Sequence, residues 1–184
     1  MSRIILLLMM STSIWAQLTT PSAVAVLSGQ TAPPQEPLAT TVCDIIHNPA
    51  AFAGRIVKVR ATVASGFESS TIVDANDKPC RGPWFEYVLK EGEPPRDSRD
   101  AELQSRHRVF LKEDENMKRF TEDVHAFVPA KEKGVRGGRR YNVTATMTGR
   151  VDDAGAGLGF GHLNGSRVRF LLISVEDVSA EERP

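Results

Sequence analysis

The residues best placed to do chemistry are Asp152, Asp153 and His162, which bracket a run of glycines at positions 155, 157, 159 and 161. A zinc site needs three or four converging ligands, and a loop closing on itself would bring these three together. A structural or solvent-facing histidine accounts for the same residues. The other histidines, His47, His107 and His125, are scattered, and no pair has HExxH spacing. The glycine series lacks a GK[ST] ending. It is flanked by expected strands rather than by the strand and helix N-terminus that aim backbone N–H groups at phosphate, so it reads as a bulged or flexible connection. Asp74-Ala75-Asn76-Asp77 opens like a calcium loop. Pro79 occupies the place of the central glycine and Phe85 that of the bidentate glutamate, which leaves a turn. There is no GxSxG elbow. The expectation is no catalytic residue, no metal and no cofactor. The enzymatic alternative is a hydrolase or metal-dependent enzyme centred on the Asp152–His162 loop.

Two further groupings speak of binding. Lys131, Lys133, Arg136, Arg139 and Arg140 surround Gly134, Gly137 and Gly138 in a basic loop whose exposed N–H groups suit an anion. A solvated loop explains the same composition. Trp84 opens an expected strand with Glu86 two residues on. An exposed indole stacks on a sugar or base, whereas a buried one caps a core.

The elements that must hold these residues are mostly strands. Val57, Val59, Ala61 and Val63 alternate with Lys58, Arg60 and Thr62, the period-two pattern of a strand buried on one side. Ser70–Asp74 is a shorter strand, and Trp84–Lys90 a third. Arg96–Arg106 is densely charged and reads as an exposed excursion, with a short strand over Arg108–Leu111. Met117, Phe120, Val124 and Phe127 recur at helical spacing, so Glu113–Val128 is the expected helix, closed by Pro129. Tyr141–Arg150 and Arg167–Val175 complete the set, with Val168, Phe170 and Leu172 sharing one face. Outward positions are expected for Lys58, Arg60, Glu86, Arg167 and Arg169. Val42–Pro49 reads as a short N-terminal helix or turn halted by Asn48-Pro49, with Phe52 packing inward after it.

The 184 residues carry 23 Lys+Arg and 23 Asp+Glu. A neutral chain lacks the field that draws proteins to nucleic acid or anionic lipid. Arg3, the apolar run Ile4–Met10 and small residues ahead of Ala16 or Ala25 have the layout of a cleavable signal peptide over residues 1–25. The run is too short to span a bilayer, so stable membrane insertion after cleavage is not expected. Residues 26–40, with Pro33-Pro34 and Pro37, read as a disordered linker, and 41–180 as the folded domain. Periplasmic or secreted location follows, and with it a structural disulfide between Cys43 and Cys80. Free thiols or a reactive pair are the alternatives.

Strand, strand, strand, helix, strand, strand is the order of the OB-fold, a five-stranded Greek-key barrel with one helix between its third and fourth strands. Cys43-Asp44, Gly54-Arg55 with Val57 and Val59, Gly66-Phe67-Glu68 and Gly159-Phe160-Gly161-His162-Leu163 resemble small exported bacterial OB-type proteins, some similar to anticodon-binding domains. The likeness spans roughly Thr41 to Val178 and implies a fold more than an activity. OB-folds bind on the face of their second and third strands, beside the first and last hairpin loops. The expected ligand face is therefore Trp84, Glu86, Phe67 and His162. The sequence predicts a non-catalytic binding module whose partner is a small ligand or a cell-envelope component, with nucleic acid disfavoured. The basic loop supplies a polyanion-binding alternative.

Overall fold

The computed structural model describes residues 36–65, 70–75, 80, 82–96, 98–107, 109–128, 137–157 and 159–183. The chain divides into two units, Met1–Pro33 and Pro34–Pro184, and all of the described residues lie in the second. The expected signal segment therefore falls outside them. So do Phe67, Lys131, Lys133 and Arg136.

The second unit is mainly β. Its elements are β1 (Leu38–Ala39), α1 (Val42–His47), α2 (Pro49–Phe52), β2 (Ile56–Ser65), β3 (Ser70–Asp74), β4 (Trp84–Tyr87), α3 (Ser98–His107) and α4 (Glu115–His125). β5 (Phe127–Val128), β6 (Gly138–Arg139), β7 (Tyr141–Asp153), a 3-10 turn at His162–Asn164 and β8 (Val168–Glu182) follow. Six strands form one mixed sheet in the order β1-β2-β3-β4-β8-β7, and β7 pairs back onto β2. β4 and β8 run parallel, β2 and β7 antiparallel. The ring is only partly closed, because β3 and β4 meet at the single pair Thr71↔Trp84.

Alternation places the core. Val57, Val59, Ala61, Val143, Ala145, Met147, Phe170 and Leu172 point inward and are buried. α4 covers one end of this interior with Met117, Phe120 and Val124, and the Phe120 ring lies 6.3 Å from that of Phe85. The Asp114 side chain caps the helix by accepting the N–H of Met117 at 3.0 Å. That bond holds its carboxyl below the ordinary carboxylate range. On β7, Gly149 lies where a Cβ would meet the Phe170 ring at 2.4 Å, so the two long strands approach closely at that point.

Several expectations need correction. Arg96–Arg106 is largely exposed as expected at Arg96, Ser98, Ala101 and Ser105, but Ser98–His107 is helical and its Asp100 is buried at 3% exposure. Val109–Leu111 forms no strand; the Leu111 N–H instead donates to the Leu89 carbonyl. The third strand ends at Tyr87, three residues early. The helix expected over Glu113–Val128 stops at His125, and Phe127 is exposed rather than packed. Leu38–Ala39, read as linker, pairs with β2. Arg169 does stand on the outer face of the sheet, yet it is 4% exposed because α3 and Phe160 cover it.

The cysteines are joined. Cys43 of α1 and Cys80, in the connection between β3 and β4, form a disulfide with Cα atoms 5.4 Å apart.

Candidate ligand-binding cleft

β4 places alternate side chains on opposite faces of the sheet: Phe85 enters the core, while Trp84 and Glu86 face outward. Trp84 lines a cleft of about 530 Å³. Ile46 and Pro49 of α1 and α2 form one wall, and Thr71 of β3 stands beside the indole. The opposite wall is the segment entering β8, with His162, Gly165, Ser166 and Arg167. The disulfide joins two of these walls, since Cys43 precedes Ile46 by one turn of helix and Cys80 stands just before Gly82, which also lines the cleft.

The indole is held from two sides. Its Nε1 donates to Glu86 Oε1 at 2.7 Å. Gly161, at φ +74°, lies so close to the ring that a Cβ there would sit 2.2 Å from it. Glycine is thus required at that position twice over, by conformation and by space. The chain then turns through Leu163 and Asn164, both left-handed at φ 53° and 54°. Leu163 is 86% exposed at the tip. The Phe160–Ser166 bridge closes the turn, with Phe160 N donating to Ser166 O at 2.6 Å and Ser166 N to Phe160 O at 3.1 Å.

The polar groups of the cleft are largely engaged. Ser166 Oγ donates to Val168 O at 2.8 Å and accepts the Trp84 N–H at 3.3 Å. That hydroxyl ties the entry of β8 to β4. Arg167 grips Asp153 with Nε and Nη2 at 2.8 and 3.0 Å. The guanidinium, assisted by the Gly155 N–H, holds the Asp153 carboxyl below its ordinary range. Thr71 Oγ1 donates to Ala64 O at 3.3 Å.

Behind Trp84 lies a buried ionic cluster. Arg169 contacts Asp152 at 3.1 Å, Asp100 at 3.1 Å and Glu86 at 3.2 Å, and its guanidinium stands 4.7 Å from the centre of the Phe160 ring. Arg150 reaches Asp152 at 3.1 Å, and Arg96 reaches Asp100 and Glu86 at 2.6 and 3.1 Å. Three guanidiniums thus alternate with three carboxylates. Burial pushes the Asp100 carboxyl up, but Arg96 and Arg169 together outweigh it and leave the group below its usual value. The cluster fastens α3 to the outer face of the sheet and backs Glu86, which in turn orients the indole.

Of the expected ligand face, Trp84 and His162 line the same cleft and Glu86 supports it from behind. Asp152 and Asp153 do not form a metal centre with His162, because Arg150, Arg169 and Arg167 occupy their carboxylates. Among the described residues no group of three His, Cys, Asp or Glu side chains is placed to hold a metal. In the basic loop, Arg139 donates to the Val124 carbonyl, and burial lowers its pKa. Arg140 pairs with Glu182 at 3.3 Å and stands over the Tyr141 ring.

Sequence reasoning missed Ile46, Pro49, Thr71 and Arg167 as cleft residues, and the whole Arg169 cluster. The one signal available was Arg150-x-Asp152 on one face of a strand, an ion pair with no apparent reason to be there. A larger groove of about 850 Å³ lies between α4 and residues 87–93. Val88, Leu89 and Met117 on its floor are buried, Lys90 pairs with Glu113 on its rim, and its walls also carry Tyr87, Glu93, Lys118 and Thr121. No family model, curated protein or solved structure matches this chain, so the cleft is interpreted on its own geometry.

Proposed function

We propose that the folded unit is an OB-type barrel acting outside the cytoplasm as a non-catalytic binding module, with its ligand in the Trp84 cleft. Three observations support the fold reading. The pairing order β2-β3-β4-β8-β7 returns to β2, β4 and β8 are parallel, and α4 lies between the third and fourth strands of that ring. The cleft then falls on the second and third strands, beside the loop joining the last two, where such barrels bind. Export draws support from the signal-like N-terminus and from the disulfide. Among the described residues no helix is long and apolar enough to cross a membrane.

The observation that carries the binding reading is the fixed indole. A tryptophan oriented by Glu86 and Gly161 on the wall of a small-ligand-sized cleft loses little freedom when something stacks on it. The engaged Ser166 hydroxyl and the ion-paired Asp152 and Asp153 weigh against the hydrolase alternative.

A small-molecule library screened by ligand-observed NMR tests the reading. Trp84→Ala is expected to abolish the hits while the protein stays folded, at a stability cost of about 2 kcal/mol for the half-buried ring and its hydrogen bond. Hits that persist in Trp84→Ala, or a variant that no longer folds alongside a Trp84→Phe that binds nothing, would assign Trp84 to structure alone.

A further inference from the structure

The charge and hydrogen-bonding pattern of the cleft specifies a class of ligand. Among its described lining residues there is no carboxylate, and the one permanent charge, Arg167, is neutralised by Asp153. The layer behind is balanced too, since Glu86 shares Arg169 and Arg96. A phosphate or carboxylate entering here would lose its hydration without gaining a countercharge.

The remaining groups are complementary to a hydroxylated ring. Trp84 offers a preset apolar surface. Thr71 Oγ1 gives its proton to Ala64 O, so it faces a ligand as an acceptor. Arg167 has Nη1 left as a donor after its two bonds to Asp153. A ligand that satisfies both must accept and donate around its edge while showing C–H groups to the indole.

We infer that the cleft binds a neutral sugar ring, as a unit of an uncharged glycan. The inference rests on the reading that the Trp84 cleft is the binding site. A nucleobase has a flat face as well, but in a nucleic acid each one brings a phosphate, and among the described lining residues the one cation is already paired.

The test is isothermal titration of the full chain with maltotriose, cellotriose and N,N′-diacetylchitobiose, together with an array of neutral glycans. Trigalacturonate and oligothymidylate serve as charged comparators. A neutral glycan is expected to bind with little salt dependence. Trp84→Ala and Arg167→Met are each expected to weaken it about tenfold or more, while Trp84→Phe retains most of the affinity. Near-UV circular dichroism checks that each variant is folded, and Thr71→Val replaces Trp84→Ala in the test if the latter is not. Silence across all neutral glycans overturns the inference. Tighter binding of a charged comparator, abolished by Trp84→Ala, overturns the sugar and leaves the cleft standing. Glycan binding untouched by any of these variants overturns both.

Discussion

Replacing Arg169 by methionine removes the centre of the buried ionic cluster while keeping an unbranched stem against Phe160. The wild-type guanidinium holds Asp152, Asp100 and Glu86 within 3.2 Å. Without it, the three carboxylates keep Arg150 and Arg96 among the described residues. Breaking a buried pair costs about 3–5 kcal/mol, mainly because a charge is left without its partner, which for a domain of this size lowers the Tm by roughly 6–20 °C. The pH dependence identifies the cause. In the wild type the folded Asp100 carboxyl lies below its unfolded value, so its stabilisation is present above the unfolded pKa and fades as acid titrates it in the folded state. In Arg169→Met one of its two cations is gone, so the folded value rises relative to wild type. The variant's deficit therefore shrinks as pH falls from 7 to about 4, near the ordinary Asp value. A second change, Asp100→Asn, removes a carboxylate that has lost one of its cations and restores part of the loss at pH 7. Urea unfolding followed by circular dichroism at both pH values measures all of this. A deficit under about 1 kcal/mol, or one equal at the two pH values, would refute the argument that uncompensated charge is what the arginine prevents.

Removing the disulfide with Cys43→Ser and Cys80→Ser is expected to lower stability by about 3–4 kcal/mol, since the bridge closes a 37-residue separation; an unchanged urea midpoint would show that it constrains nothing. Gly161→Ala places a Cβ 2.2 Å from the Trp84 ring at φ +74°, so the indole must move. In a Trp15→Phe background its fluorescence becomes more accessible to acrylamide, and identical quenching would contradict the packing described. Asp114→Ala is expected to cost about 0.5–2 kcal/mol at neutral pH through loss of the α4 cap. Because the folded Asp114 carboxyl is depressed, that difference is present above the unfolded pKa and disappears as pH falls below about 4 through the folded value; a gap surviving in strong acid would contradict it.

The strands were legible because half-buried strands write their burial into every second residue. Val57, Val59, Ala61 and Val63 were read as one buried face from that pattern alone, and all are buried. α4 was legible for the analogous reason, through Met117, Phe120 and Val124. α3 was not. Ser98–His107 has no apolar stripe, and its anchor is Asp100, whose partner Arg169 lies on the last strand. Hydrophobic periodicity cannot register a helix held by charge. The same limit explains Arg169 itself: alternation gave its face correctly, but only the covering helix decides whether that face is wet. The cleft was half legible. Trp84 and His162 were picked out by residue type and by the turn-rich stretch around His162, and both line it. Ile46, Pro49, Thr71 and Arg167 come from separate segments brought together by the β3–β4 pairing and the disulfide, and nothing local to them announces it.

β8 lies between β4 and β7, and among the described strands it comes last in sequence. Until Val168–Glu182 has been made, both neighbours present bare hydrogen-bonding edges and the interior stands open along one seam. Closure of this sheet must therefore wait until β8 has been made. The interval has its own hazard, since two unsatisfied edges in one half-built molecule invite pairing with another. Loss of the final strand should therefore yield aggregates rather than a smaller soluble domain.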